Sequence, residues 1–271
     1  MKKTIIFVFV VVSQHALASK LTKFSQSLED RLLIDLSHLN VIENRIKIRT
    51  PNVLERWMMN KTGAEATYND KTNVIVLRKK NFVKNRIISR SDLDESKKYS
   101  FIVLASTIFH ELAHADFDTV ISNDKSPINK TLFDIQKWFK RNVNLNSKIA
   151  AHEFFGYSAG ESLMGLDNEI SDILLQHRIN PQTLKCFGRS AHAKEFSLSS
   201  EKNYIDFFTP DFIFIKGKDL DLRKIKFPYI FRKEVYSYFS KRYNFPSSRR
   251  ELIDILNKSK YFNILLSCNS N

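Results

Sequence analysis

The sequence predicts an α+β chain, rich in helix and carrying one small antiparallel sheet. Three observations lead there. Several segments repeat apolar residues every three or four positions, the period of an amphipathic helix. One stretch, residues 65–77, has the chemistry of strand, turn and strand instead. An apolar run from Phe101 to Ala115 directly afterwards carries His110, Glu111 and His114 in the pattern HExxH.

Taken in order, residues 1–18 read as a secretory signal. Lys2 and Lys3 precede an apolar run, Ile5 to Val12, and Ala16-Leu17-Ala18 supplies a small-residue cleavage site before Ser19. The run is too short for a permanent membrane anchor. No Cys follows the cleavage point to carry a lipid, and no second run of spanning length occurs. The expectation is an exported chain, periplasmic or secreted, with no transmembrane segment after cleavage. Phe24 to Asn40 spaces Leu28, Leu32, Ile34 or Leu36, and Leu39 as an amphipathic helix, and 52–60 is a shorter helix after Pro51. Ala66 to Tyr68 and Val74 to Leu77 are strands around the turn-forming Asn69-Asp70-Lys71-Thr72-Asn73. The second strand is β-branched and apolar, as a buried strand should be. Residues 81–94 loop back, and 95–118 form the long HExxH helix. After a turn at 123–127, residues 130–141 place Leu132, Ile135, Trp138 and Phe139 at helical spacing. Residues 146–164, with many small side chains, and 167–178 are two further helices. Residues 182–200 are less regular. Residues 19–181 are read as one domain, and 182–271, rich in aromatic and basic side chains, as a helical or mixed subdomain packed on it.

Composition narrows the function. The hydrophobic fraction is 43% and the net charge +14. Such a charge suits an exported protein to anionic surfaces, cell-envelope polymers or acidic substrates, or, the preferred reading, is simply a solvated basic surface. There is no Arg-rich run and no nucleic-acid motif, so a nucleic-acid partner has no support. The two cysteines, Cys186 and Cys268, are able to pair in an oxidising compartment or to stay as separate buried thiols. Neither lies before HExxH, which excludes inhibition by a propeptide thiol.

The HExxH pattern has a mechanism attached. Residues four apart share a helix face, so His110 and His114 are able to grip one ion. Glu111 follows the first His, where its carboxylate reaches a metal-bound water. Zinc suits two imidazoles and activates water at an open coordination position. A third ligand is required. A His six residues after His114 is absent, since Val120 stands there. Glu153 is the first candidate, because it lies on a helix whose small residues permit close packing. Glu169 is second, followed by Glu161, His152 and His177. Each is otherwise an ordinary helix side chain. Asp116 and Asp118 either orient a ligating His or, the preferred reading, end the helix.

These residues resemble those of HExxH zinc metallopeptidases of the zincin class, and within it the gluzincins. His110 and His114 match the ligands and Glu111 the general base. Residues 153–157, EFFGY, look like the short ExxAY-type motif of small gluzincin-like families. Residues 168–172, NEISD, resemble the NExxSD motif of thermolysin-like enzymes but fall one residue short. The resemblance covers roughly residues 65–178. It implies a zincin-like fold, one Zn²⁺ per chain, a peptide or protein substrate along the strand before the HExxH helix, and Glu111 as proton shuttle. It also implies a donor for the oxyanion. Tyr157 is the candidate, with His152, His177, His192 and Tyr204 as others. Two alternatives stand beside the metallopeptidase: a zincin-fold or cell-envelope binding protein without activity, and an amidase acting on wall peptides.

Overall fold

A computed structural model of the chain describes residues 26, 45–78, 82–83, 86–87, 98–122, 128–143, 146–176, 212–215, 218–223 and 225–258. The secretory signal, the helix expected at 24–40 apart from the helical Gln26, the turn at 123–127, the segment 182–200 and both cysteines lie outside them. Among the described residues the chain is helix-rich with small sheets, so the α+β class holds.

Strand β1 (Lys47–Arg49) leads through Pro51 into helix α1 (Val53–Thr62). Asn52 and Glu55 form a reciprocal capping box at its start, and Gly63 ends it in the left-handed region at φ 76°. Strands β2 (Ala66–Asn69) and β3 (Val74–Leu77) follow as an antiparallel hairpin with Tyr68 opposite Ile75. The turn between them uses the expected chemistry. The Asn69 side chain accepts from the backbone N–H groups of Lys71 and Thr72, and Asn73 takes φ 51°. All four residues of β3 are buried.

The sheet is not purely antiparallel as expected. Its order is β1-β3-β2, and β1 runs parallel to β3. The strand Lys47–Arg49 buries only Ile48, too short a pattern to register as a strand in sequence. Residues 81–94 contain a small hairpin of β4 (Phe82–Val83) and β5 (Arg86–Ile87).

Helix α2 (Lys98–Ser122) carries HExxH at its middle and runs on past Asp116 and Asp118, which therefore do not end it. Helix α3 (Asn129–Asn142) buries Leu132, Ile135 and Phe139, as its spacing predicts. Helix α4 (Ser147–Gln176) is one continuous helix where two were expected. The apolar stripe Leu163, Leu166, Ile170 and Ile173 stays buried across the supposed break. Burying it outweighs the roughly 1 kcal/mol that Gly165 costs a helix interior.

The main packing surface lies between α2 and α4, with α3 against α4 on the far side and β2 against α2. Strands β6 (Phe212–Ile215) and β7 (Lys218–Asp221) pair, and helices α5 (Tyr229–Arg242) and α6 (Arg249–Lys258) close the described chain. Several described aromatics of this region serve as core: Phe239 and Tyr243 are fully buried and stack at 5.6 Å. One hydrophobic cluster runs from Ile46 to Leu256. No described helix is long and apolar enough to cross a membrane.

Candidate metal centre

The α2–α4 interface brings together the residues the sequence singled out first. His110 and His114 lie one turn apart on α2, with their Nε2 atoms 2.9 Å apart. Glu153 faces them from α4. Its Oε2 is 3.4 Å from His110 Nε2 and 3.9 Å from His114 Nε2. Two ligand atoms on a tetrahedral ion about 2.0 Å away stand about 3.3 Å apart, so these separations bracket that spacing. Among the described residues, this is the His/Glu group with donors close enough to hold a metal ion.

Two glycines let the helices approach. A Cβ on Gly156 would lie 2.9 Å from His114 Cε1 and 3.0 Å from His110 Nε2. One turn on, a Cβ on Gly160 would lie 2.7 Å from Ser106 Oγ. The expectation that small residues in 146–164 allow close packing is thus met at the site itself, and Gly156 forms the floor under both rings.

Burial sets the charge states. It pushes His110 down to about 3, and drives His114 well below its usual value, with neighbouring histidines adding to the effect. Both rings are neutral at pH 7 and have lone pairs to offer. Glu111 is 6% exposed. Burial, reinforced by the charge of Glu153, raises its carboxyl to about 8, and a hydrogen bond from the Tyr68 backbone N–H opposes the rise. Burial raises Glu153 as well. A carboxyl poised near neutrality is suited to taking and returning a proton.

The centre opens into a cleft of about 930 Å³, walled by β2, α2 and α4 and reached by Phe214 of β6. Strand β2 is the outer strand of its sheet, so one backbone edge borders the cleft.

The remaining candidates separate cleanly. Glu169 lies sixteen residues beyond Glu153 on the same helix, roughly 24 Å along it. It is buried and accepts a hydrogen bond from Arg249 at 2.8 Å, so it takes no part in the centre. Tyr157 stands against His110, ring centroids 4.5 Å apart, and lines the cleft, as does Glu161. His152 is not one of the three clustered donors but touches one of them, His114, with the two Nδ1 atoms 2.7 Å apart. Asp116 receives two hydrogen bonds from Arg242, at 2.7 and 3.0 Å, tying α5 to α2. His177, His192 and Tyr204 lie outside the described residues. Sequence reasoning did not find the floor position of Gly156 or the contact of His152 with His114. Gly156, three residues after Glu153, shares its side of a helix and so was open to reading in the stretch AHEFFGY, whereas His152, one residue before Glu153, carries no such spacing.

Comparison of the chain with known protein families, with curated proteins and with solved structures found no match.

Proposed function

We propose that this chain is an exported zinc-dependent peptidase of the zincin class. His110, His114 and Glu153 hold the metal, and Glu111 is the general base. The observation that carries the reading is the meeting of two neutral imidazoles and a carboxylate across α2 and α4, beside a buried Glu111 and under a sheet edge. Two nitrogens and one oxygen suit zinc while leaving a coordination position open. A purely structural site needs no buried acid alongside it, which favours hydrolysis over binding.

Zinc bound there would supply Lewis-acid polarisation of a scissile carbonyl and of a water. The rest falls to the chain. An extended peptide would add its backbone to the outer edge of β2 and so cross the cleft beside the metal centre. Glu111, held by the Tyr68 N–H, would take a proton from the attacking water and return it to the leaving amine. Tyr157, beside His110, is placed to donate a hydrogen bond to the oxygen that gains charge. The substrate class is peptide or protein, and the net charge, +14 for the whole chain and +12 once Lys2 and Lys3 leave with the signal, favours work near anionic envelope polymers.

The test is metal content and peptide hydrolysis of residues 19–271. One zinc per chain is expected in the wild type. Glu111→Ala should keep zinc and lose hydrolysis, and Glu153→Ala should lose zinc. A wild-type chain that takes up no zinc when supplied, or a Glu111→Ala variant that cleaves like wild type, overturns the proposal.

A further inference from the structure

Positions 110, 114 and 118 form one stripe along α2, each a turn from the next, so His114 sits between His110 and Asp118. His152, from α4, lies over the lower half of that stripe. Its Nδ1 is 2.7 Å from His114 Nδ1, and its Nε2 is 3.5 Å from Asp118 Oδ1. The His114 and His152 rings stack at 4.7 Å, and Phe117 packs against His152 at 4.3 Å, so the ring has little freedom to turn.

We infer that Asp118 and His152 are positioning residues that set the tautomer of His114 and so prepare its Nε2 to bind the metal. The logic is one of donors and acceptors. A neutral imidazole has one N–H and one lone pair, and an ionised carboxylate only accepts. Asp118 therefore favours the His152 proton on Nε2, facing it. That leaves a lone pair on His152 Nδ1. The 2.7 Å contact between the two Nδ1 atoms then needs its proton from His114. With Nδ1 protonated, His114 carries its lone pair on Nε2, the atom facing His110 and Glu153. The 2.9 Å contact between the Nε2 atoms of His110 and His114 fits this order, since His110 is then the donor and His114 the acceptor. Lys148, whose Nζ is 3.9 Å from Asp118 Oδ1, places a positive charge beside the same carboxylate oxygen. The usual partner of a ligating His is a single carboxylate or carbonyl. Here a second imidazole, adjacent in sequence to the Glu ligand, stands between, so one turn of α4 supplies both a ligand and the orientation of another.

The consequence for affinity rests on the metal reading above, but the tautomer belongs to the metal-free chain and is measurable alone. The experiment is long-range ¹H–¹⁵N correlation of the imidazoles in metal-free protein. Zinc affinity is measured beside it, by chelator competition, for wild type, His152→Phe and His152→Asn. His114 should carry its proton on Nδ1 and His152 on Nε2. His152→Phe keeps a ring against Phe117 but loses the acceptor, and should weaken zinc binding about 10- to 100-fold. His152→Asn returns an acceptor oxygen near the position of Nδ1 and should recover much of that loss, which a merely structural role would not produce. Finding His114 protonated on Nε2 in the metal-free wild type overturns the inference, as does a Phe variant that binds zinc as tightly as wild type. A wild-type chain that binds no zinc, yet has His114 protonated on Nδ1, would remove the peptidase reading and leave the relay standing.

Discussion

Replacing Gly156 by Ala isolates the geometry of the proposed metal centre from the stability of the fold. The new Cβ would lie 2.9 Å from His114 Cε1 and 3.0 Å from His110 Cε1 and Nε2. Carbon atoms rest about 3.5–4.0 Å apart, so each ring must retreat by about half an ångström. In a helix interior Ala is better than Gly by about 1 kcal/mol. The obstructing atoms are ends of side chains rather than backbone, and the rings are able to swing away at modest cost. The two effects oppose each other, and the metal-free variant should unfold within about 1 kcal/mol of wild type. The metal site has no such latitude, since a working constellation tolerates about 0.5 Å of misplacement. Zinc affinity should fall about 10- to 100-fold, or roughly 1.4–2.7 kcal/mol. Thermal unfolding of chelator-treated protein, with chelator competition for zinc, measures both quantities. A Gly156→Ala chain with wild-type affinity would refute the claim that the close helix approach positions the ligands. A chain that loses several kcal/mol without metal would show that the backbone, not the rings, bears the clash.

Three further outcomes follow from the same geometry. Glu169→Ala should leave zinc content unchanged but lower stability by about 1–3 kcal/mol, because Arg249 loses its buried acceptor; loss of zinc in this variant would restore Glu169 as a ligand. Metal-free protein should be most stable near pH 6.5. Below that pH the unfolded chain takes up protons that buried His110, at about 3 in the folded state, refuses, so stability falls as pH drops through that window. From the ordinary carboxyl value of 4.5 up to about 8 the folded chain holds a proton on Glu111 that the unfolded chain has released, so that contribution is lost as pH rises. Between 4.5 and 6.5 the two trends oppose; Glu153, raised by burial, adds to the Glu trend, and the downward shifts of both His114 and His152 tip the balance toward the His trend. A thermal midpoint that keeps rising from pH 6.5 to 8.5 in chelator would contradict this. Tyr157→Phe should keep zinc and KM while lowering kcat on the order of 10²-fold, the usual effect of removing one oxyanion donor; an unchanged kcat would remove Tyr157 from the mechanism.

Local chemistry made much of this legible in sequence. The hairpin at 66–77 was visible because Asn69 and Asn73 have side chains and backbone preferences suited to a turn, and because Val74 to Leu77 is apolar without interruption. The helix at 129–142 was visible because its buried face leaves a period in the sequence, the one at 98–122 because it is a long apolar run, and the one at 53–62 because Pro51 precedes it, although it buries only Met59. Strand β1 left almost none: three residues with one buried side chain depend on β3 for their partners. The continuity of α4 across Gly165 was hidden for a related reason, since glycine discourages a helix locally and only the buried stripe on both sides overrides it.

At the centre the division is sharper. His110, Glu111 and His114 were determined by sequence alone, because a helix fixes the relation of residues one and four apart whatever surrounds it. The choice of Glu153 over Glu169 was not. Both are glutamates on one long helix in recognisable short motifs, and the small neighbours of Glu153 and the residue missing from 168–172 rank them without settling which one meets the histidines. Tertiary packing decided it: two glycines bring α4 against α2 at 153–160, while sixteen residues further on the helix has Arg249 of α6 for a neighbour. The relay through His152 depends on the same approach, since hydrogen bonds between side chains thirty-eight residues apart exist only where the packing of two helices puts them.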